Sequence, residues 1–197
     1  NASKVVVGKG LYTHLNEVYV ERLINGVVSG GADAVVVNLR CVASEVCSTP
    51  QTVIIPAGQS RAYFYVTGLD AGSTQIEASA AGFTSGVVTT ETITPLLLLS
   101  GAPSSLRVGQ TNTTISVAAQ VNGAYWSNSQ YPAANLPITF TSSIPSVGTV
   151  TNTVAWAKGA GASARPTFTA ISPGTTQITA SSPGFVPATS GVITVNP

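Results

Sequence analysis

Short runs in which apolar and polar residues alternate follow one another along most of the chain. RAYFYV at 61–66 and TISV at 114–117 have the period of two that is typical of a strand with one buried face. Turn-forming residues separate the runs, with PAG at 56–58 in the first half and KG at 158–159 at the equivalent place in the second. The pattern gives about seven short strands per hundred residues and no significant helix. We therefore predict an all-β fold of β-sandwiches.

One segment of this pattern occurs twice. GSTQIEASAAGF begins at residue 72 and GTTQITASSPGF at residue 174, so the repeat has a period of 102 residues. A repeat of this length predicts two domains, because each copy is long enough to bury its own core. Proline closes both copies, which places the predicted domains at 1–95 and 96–197. LLLL at 96–99 is then expected to be the first strand of the second domain, with almost no linker before it.

The repeat also decides between a helix and a strand at 14–26, HLNEVYVERLING. Its apolar residues fit a helical stripe, but the closing Asn-Gly aligns with the Asn-Gly that ends TTISVAAQVNG at 113–123. The second copy alternates at period two, so both segments are predicted to be strands. Val18 and Val20 are expected to face inward, and Tyr19 outward.

Charge is scarce and unevenly distributed. Charged residues make up 8% of the chain, against roughly 25% in an ordinary soluble domain. Every carboxylate precedes residue 95, and the second half carries only Arg107, Lys158 and Arg165. Nucleic-acid binding needs a clustered basic face, so no nucleic-acid partner is expected. Two explanations of the sparse charge stay open: a surface solvated by hydroxyls and amides, or a surface buried against other subunits.

The two cysteines indicate the compartment. Cys41 and Cys47 are close in sequence, and His14 is the only histidine, so a zinc site lacks ligands and a local disulfide is the simpler interpretation. A disulfide implies an oxidising, extracellular or cell-surface location. The chain begins at Asn1 and contains no methionine, which fits either a processed mature chain or an artificial boundary. No apolar run reaches the roughly 20 residues that span a bilayer, so no membrane insertion is expected.

Three longer stretches carry a family resemblance. VIIPAGQSRAYFYVTGLDAGSTQIEASAAGF at 53–83 resembles the C-terminal half of bacterial immunoglobulin-like domains, and ANLPITFTSSIPSVGTV at 134–150 resembles their middle strands. LRVGQTNTTISVAAQ at 106–120 is similar to their opening. The resemblance implies two tandem immunoglobulin-like β-sandwiches. Members of this class serve as stalks, spacers, adhesin segments, subunits of S-layers and filaments, and enzyme accessories.

No constellation suited to catalysis is visible in the sequence. The second copy lacks both carboxylates and histidine, which excludes a general acid–base pair and a calcium cage there. In the first copy, His14 with Glu17 is better explained as a surface histidine before a strand. No nucleotide-binding or nucleophile motif is present. We expect no enzymatic activity, no cofactor and no metal.

Two segments are candidates for partner contact. The second copy carries an insertion at 122–135 that contains Tyr125, Trp126, Asn128, Gln130 and Tyr131. Rings beside amides suit sugar stacking, a protein contact, or packing within the protein, and these three alternatives stay open. The second candidate is the short apolar strand formed by Val5, Val6 and Val7. It is expected either to exchange with a neighbouring molecule or to pair within its own domain.

The sequence thus predicts a non-enzymatic extracellular structural module. Its expected role is that of a building block of a bacterial-type surface assembly, such as a filament, an S-layer or an adhesin stalk, acting by rigid spacing and self-association. The expected partners are copies of itself or other surface proteins. The alternative is a carbohydrate-binding accessory module that holds polysaccharide on the loop at 122–135.

Overall fold

A computed structural model describes residues 4–14, 16–121, 130–163 and 165–197. The chain divides into two compact units, Asn1–Ile93 and Thr94–Pro197. The division falls two residues before the predicted boundary at 95/96. Each unit is considered by itself below.

Only strands, turns and irregular segments occur in the described residues, and no helix is among them. The strands of the first unit are β1 Val5–Gly8, β2 Leu11–Thr13, β3 Tyr19–Glu21, β4 Leu23–Ile24, β5 Val27–Val28, β6 Val35–Cys41, β7 Cys47–Ser48, β8 Thr52–Ile55, β9 Arg61–Tyr63, β10 Thr67–Gly68, β11 Gly72–Ser79 and β12 Gly86–Ile93. Those of the second are β13 Leu96–Ser100, β14 Ser105–Arg107, β15 Thr111–Asn112, β16 Ser116–Gln120, β17 Gln130–Pro132, β18 Leu136–Ser142, β19 Gly148–Val150, β20 Thr153–Trp156, β21 Phe168–Ala170, β22 Gly174–Thr176, β23 Ile178–Ser181, β24 Ala188–Thr189 and β25 Ile193–Asn196. No helix of the described chain is long and apolar enough to cross a membrane.

The two units repeat one strand order. In the first unit the larger sheet runs β1-β12-β11-β6-β8, with β1 parallel to β12 and the other pairs antiparallel. In the second, the equivalent strands form two sheets: β14-β25-β22, with β14 parallel to β25, and β24-β23-β18-β20. The repeat in sequence is therefore also a repeat in topology.

A second, smaller layer faces the larger sheet in each unit. β3 pairs with β9, and β10 pairs with β2 and β7 in the first unit, while β21 pairs with β15 and β19 in the second. The first core draws on both layers, with Val37 and Ile76 from the larger sheet and Val18 and Phe64 from the smaller one. Two sheets over one core make each unit a sandwich. The predicted all-β, immunoglobulin-like fold is confirmed.

Strand structure lies in the second half of the segment at 14–26, as the repeat predicts. The segment contains β3 and β4, Val18 is buried, Val20 is half-buried, and Tyr19 points outward. Asn25 and Gly26 form the turn between β4 and β5, and both have positive φ, 51° and 78°. Asparagine followed by glycine suits this two-residue turn because both tolerate the left-handed region.

Candidate functional site

The most exposed apolar element of the first unit is the hairpin β4–β5, here called the apolar hairpin. All four of its strand residues are aliphatic, and all four are exposed: Leu23, Ile24, Val27 and Val28. A hairpin whose side chains all meet solvent gains little from its own packing. Clustered exposed aliphatic residues mark contact surfaces in soluble proteins. The apolar hairpin is therefore a candidate contact site.

A buried arginine fixes the base of this hairpin. Arg22 is 5% exposed, and its guanidinium donates hydrogen bonds to four carbonyl oxygens, those of Ser29 (3.0 Å), Gly31 (3.1 Å), Asp33 (2.9 Å) and Gln59 (2.7 Å). These bonds satisfy the buried donors and tie the loop after β5 to the turn before β9. Sequence reasoning missed Arg22, because nothing in the sequence shows that four distant carbonyls converge on it.

A groove opens beside the apolar hairpin, between β3 and the start of β12. Two adjoining cavities of about 280 and 250 Å³ make up the groove. Both are lined by Val20, Glu21, Leu23, Ala78 and Gly86. The floor of the groove is largely apolar. On the β12 side Gly86 leaves open space, since an added Cβ there would meet no atom within 4 Å.

Exposed tyrosines line the outer face of the smaller layer. The rings of Tyr19 and Tyr63 meet edge to face at 5.6 Å, and the Arg61 guanidinium lies 4.7 Å from the centre of the Tyr19 ring. Arg61 also pairs with the Glu21 carboxylate. In the YFY sequence at 63–65, the two tyrosines alternate with Phe64, and this alternation places Tyr63 and Tyr65 on the same, outer face of the layer. This cluster is a second polar and aromatic surface that sequence reasoning passed over.

One surface carboxylate has a shifted pKa. The Lys9 ammonium donates a hydrogen bond to Asp70, and that bond together with the positive charge lowers the pKa of Asp70. Both side chains are substantially exposed, so the pair contributes little to stability.

The two cysteines form a disulfide in the first unit, with 5.9 Å between their Cα atoms. The strand pairing explains why the second unit lacks one. Cys47 pairs with Gly68 as Gly148 pairs with Ala170, so Gly148 takes the place of Cys47. A Cβ at Gly148 would lie 2.3 Å from the ring of Phe168. In the second unit this ring takes the space that a cysteine side chain needs.

The candidate exchange strand is paired within its own unit. Val5, Val6 and Val7 belong to β1, which runs parallel to β12 over its full length, and Val5 and Val7 are buried. Of the two alternatives for this strand, pairing within its own domain is the one seen here. Exchange of this strand with a neighbour stays a prediction.

The aromatic loop lies mostly outside the described residues, since Tyr125, Trp126 and Asn128 fall at 122–129. Gln130 and Tyr131 belong to β17, and both are half-buried. Three of the five predicted residues therefore lie outside the described residues, and a glycan or subunit contact at this loop stays a prediction.

The single histidine lies in a turn of the first unit. His14 accepts a hydrogen bond at Nδ1 from the backbone N–H of Asn16, at 3.3 Å, in the turn before β3. Within the described ranges, no three histidine, cysteine, aspartate or glutamate side chains lie together as metal ligands would.

Comparisons with known proteins find similarity in structure and not in sequence. No family model matches the chain, and no curated protein matches it. Domains 4 and 5 of the S-layer protein SbsC are similar to it at 17% identity and a TM-score of 0.40, over 82% of this chain and 77% of that one. In a longer SbsC structure the chain spans 21% of the length.

Two adhesin structures are similar over the whole chain. The D00-D0 domain of intimin is 14% identical, with a TM-score of 0.43, and 98% of its length is covered. The adhesin InvE of Yersinia pseudotuberculosis is 12% identical, with a TM-score of 0.43, and 57% of its length is covered. The fold assignment itself rests on the strand order and cores of the two units described above.

Proposed function

We propose that the chain is a non-enzymatic structural module of an extracellular surface assembly, and that it acts by rigid spacing and self-association. The observation that carries the proposal is the apolar hairpin. Leu23, Ile24, Val27 and Val28 are held out into solvent on a base that Arg22 fixes with four hydrogen bonds. A fixed, exposed aliphatic surface loses contact with water when a second molecule covers it, which favours association.

The spacing part of the proposal is supported by the short connection. Only Thr94 and Pro95 separate β12 from β13, and proline restricts the backbone further. The disulfide at Cys41 and Cys47 supports an oxidising, extracellular setting. The resemblance of the sequence to bacterial immunoglobulin-like domains supports a place on a bacterial-type surface.

The test is a comparison of assembly in three proteins. Light scattering and negative-stain microscopy are recorded over a wide range of concentration for the natural chain, for Val27→Lys and for Val192→Lys. Val27 is 66% exposed on the apolar hairpin, and Val192 is 56% exposed in the second unit. Polymers or regular arrays are expected for the natural chain and for Val192→Lys, and their loss is expected for Val27→Lys. A chain that stays monomeric at every concentration would contradict the proposal.

The carbohydrate alternative makes a different prediction for the same preparations. A monomeric chain that is retained on a polysaccharide column, and that loses retention in Trp126→Ala, would replace the structural role with that of a binding module. Retention that is unchanged by Trp126→Ala would remove the aromatic loop as the contact.

A further inference from the structure

All four tyrosines of the first unit lie on one face, the outer face of the smaller layer. Tyr19, Tyr63 and Tyr65 are 37%, 40% and 41% exposed, and Tyr12 is half-buried. The inner face of the same layer carries Phe64, which is 4% exposed. A phenol hydroxyl is solvated more easily than it is buried, which explains why the outer rings are tyrosines. The phenols are therefore within reach of solutes.

The first ring contact joins Tyr19 and Tyr63, which lie directly opposite each other on β3 and β9. The next residues, Val18 and Phe64, share a backbone hydrogen bond of 3.0 Å, so the two tyrosines occupy a non-hydrogen-bonded pair. Cross-strand side chains are closest in such pairs, and the ring centres here are 5.6 Å apart. Both side chains leave the same face, so their hydroxyl ends extend in the same direction.

The second ring contact joins Tyr12 and Tyr65 across a diagonal of the same layer. Tyr12 pairs with Thr67 between β2 and β10, and Tyr65 precedes Thr67 by two residues. The Thr13 N–H bonds to the Val66 carbonyl at 2.9 Å, which continues this register toward Tyr65. Diagonal neighbours on one face are within reach of aromatic side chains, and these ring centres are 5.3 Å apart. The first unit thus holds two separate tyrosine contacts.

A salt bridge holds one of the four rings in place. Arg61 pairs with the Glu21 carboxylate, and its guanidinium lies 4.7 Å from the centre of the Tyr19 ring. This cation–π contact favours one orientation of the ring, in which it also touches Tyr63. Two rings held in contact need only a small rotation to bring their carbon atoms to bonding distance.

Tyrosine is the most readily oxidised side chain that the first unit leaves unpaired with another redox group. Both tryptophans, Trp126 and Trp156, lie in the second unit, and the chain contains no methionine. The two cysteines are joined to each other as a disulfide, so neither offers a thiolate. A one-electron oxidant that acts on the first unit is therefore directed to its phenols.

We propose that the two ring contacts are sites of oxidative tyrosine cross-linking, which joins Tyr19 to Tyr63 and Tyr12 to Tyr65. The oxidant is hydrogen peroxide, used by an extracellular haem peroxidase. Each phenol of a pair loses one hydrogen atom, and the two phenoxyl radicals form a C–C bond between ring carbons next to their hydroxyls. The hydrogen on each joined carbon then moves to the oxygen, which restores both phenols. One peroxide is reduced to two waters for each bond, and two hydrogen atoms leave the protein.

The cross-links fasten segments of the smaller layer that are distant in sequence. One closes β3 onto β9, and the other closes β2 onto the residues before β10. The disulfide spans a sequence separation of only 6, so it constrains the unfolded chain much less than either cross-link. This inference goes beyond the proposed function, because it concerns a modification within one molecule whether or not the chain forms arrays.

The test is oxidation of the natural full chain with hydrogen peroxide and a haem peroxidase, at concentrations where the chain is monomeric. Cleavage after Glu17 separates Tyr12 from Tyr19, so mass spectrometry distinguishes the two cross-linked peptides. Each is expected to be lighter than its two parts by two hydrogen atoms, and the protein should acquire the blue fluorescence of dityrosine. The midpoint of thermal unfolding of the first unit is expected to rise by about 10 °C or more.

Conservative variants test the pairing. Tyr63→Phe keeps the ring but removes the phenol, so the cross-link to Tyr19 is expected to be lost while that to Tyr12 remains, and Tyr65→Phe is expected to do the reverse. Tyr131→Phe, in the second unit, is the matched control and should change neither cross-link.

Three results would overturn the proposal. The first is an oxidised natural chain that carries no internal dityrosine, or only links between molecules. The second is exchange of partners, in which Tyr19 couples to Tyr65 as readily as to Tyr63. The third is the same pairing at the same yield in concentrated urea, because coupling would then not depend on the fold.

Discussion

Phe83 and Phe185 occupy equivalent positions of the repeat, but the first ring stands in an open groove and the second is packed beside Trp156, with 6.5 Å between the ring centres. We expect Phe185→Ala to lower the free energy of unfolding of the second unit by about 3 kcal/mol, because a large buried side chain is lost. Phe83→Ala is expected to cost the first unit about 1 kcal/mol or less.

Denaturant unfolding separates these two effects. Both tryptophans lie in the second unit, so tryptophan fluorescence follows that unit, and circular dichroism follows the whole chain. If Phe83→Ala and Phe185→Ala lowered the free energy of unfolding equally, the groove of the first unit would be closed in solution.

Arg22→Met should strongly destabilise the first unit. The substitution keeps much of the side-chain volume but leaves four inward-facing carbonyls without their donor, and buried unpaired polar groups are costly. We expect a loss of about 3 kcal/mol in urea unfolding. Arg107→Met, at an exposed arginine of the second unit, is the matched control and is expected to change stability by less than about 0.5 kcal/mol.

Gly148 and Phe168 should be coupled in a double-mutant cycle. Gly148→Ala places a Cβ against the Phe168 ring and is expected to destabilise the second unit by about 2 kcal/mol. In the Phe168→Val background, which reproduces Val66 of the first unit, the same substitution should cost much less. Additive effects of the two substitutions in thermal unfolding would show that the ring can move aside.

The Lys9–Asp70 pair should make the stability of the first unit depend on pH, with a sign that follows from the pKa of Asp70. Because Lys9 lowers the pKa of Asp70 in the folded state, the stabilisation is present above the unfolded pKa and is lost as the pH falls through the folded one. Lys9→Gln is expected to raise the pKa of Asp70, measured by NMR titration of the carboxyl carbon. Lys4→Gln removes the partner of Glu91 and should leave the pKa of Asp70 unchanged.

Much of the fold was predictable because it depends on local pattern. The alternation at 61–66 and 114–117, the Asn-Gly turn and the repeat all act over a few residues or by direct comparison of the two copies. Cys41 and Cys47 are likewise close enough in sequence for their disulfide to be expected. The strand at 14–26 needed the second copy, since its own pattern fits a helix as well.

The candidate sites were mostly not predictable, because they depend on which parts of the chain meet. Arg22 receives its carbonyls from two separate loops, and the groove is lined by residues of β3, β11 and β12, which are far apart in sequence. The pairing of β1, with Val6 at its centre, along β12 is one of the two alternatives that the sequence leaves open, and only the structure shows it. Edge and partner assignments of this kind require the register of every neighbouring strand.

By itself, then, the sequence determined two copies of one β-sandwich, a local disulfide and the scarcity of charge, since composition, periodicity and repetition are properties of the chain. Only the tertiary structure decided that two identical members of the repeat, Phe83 and Phe185, differ in burial. Phe185 packs beside Trp156 in the second unit, whereas Phe83 lines a groove of the first unit and is 39% exposed. The physical reason is that burial depends on what covers a residue, and identical residues do not carry that information.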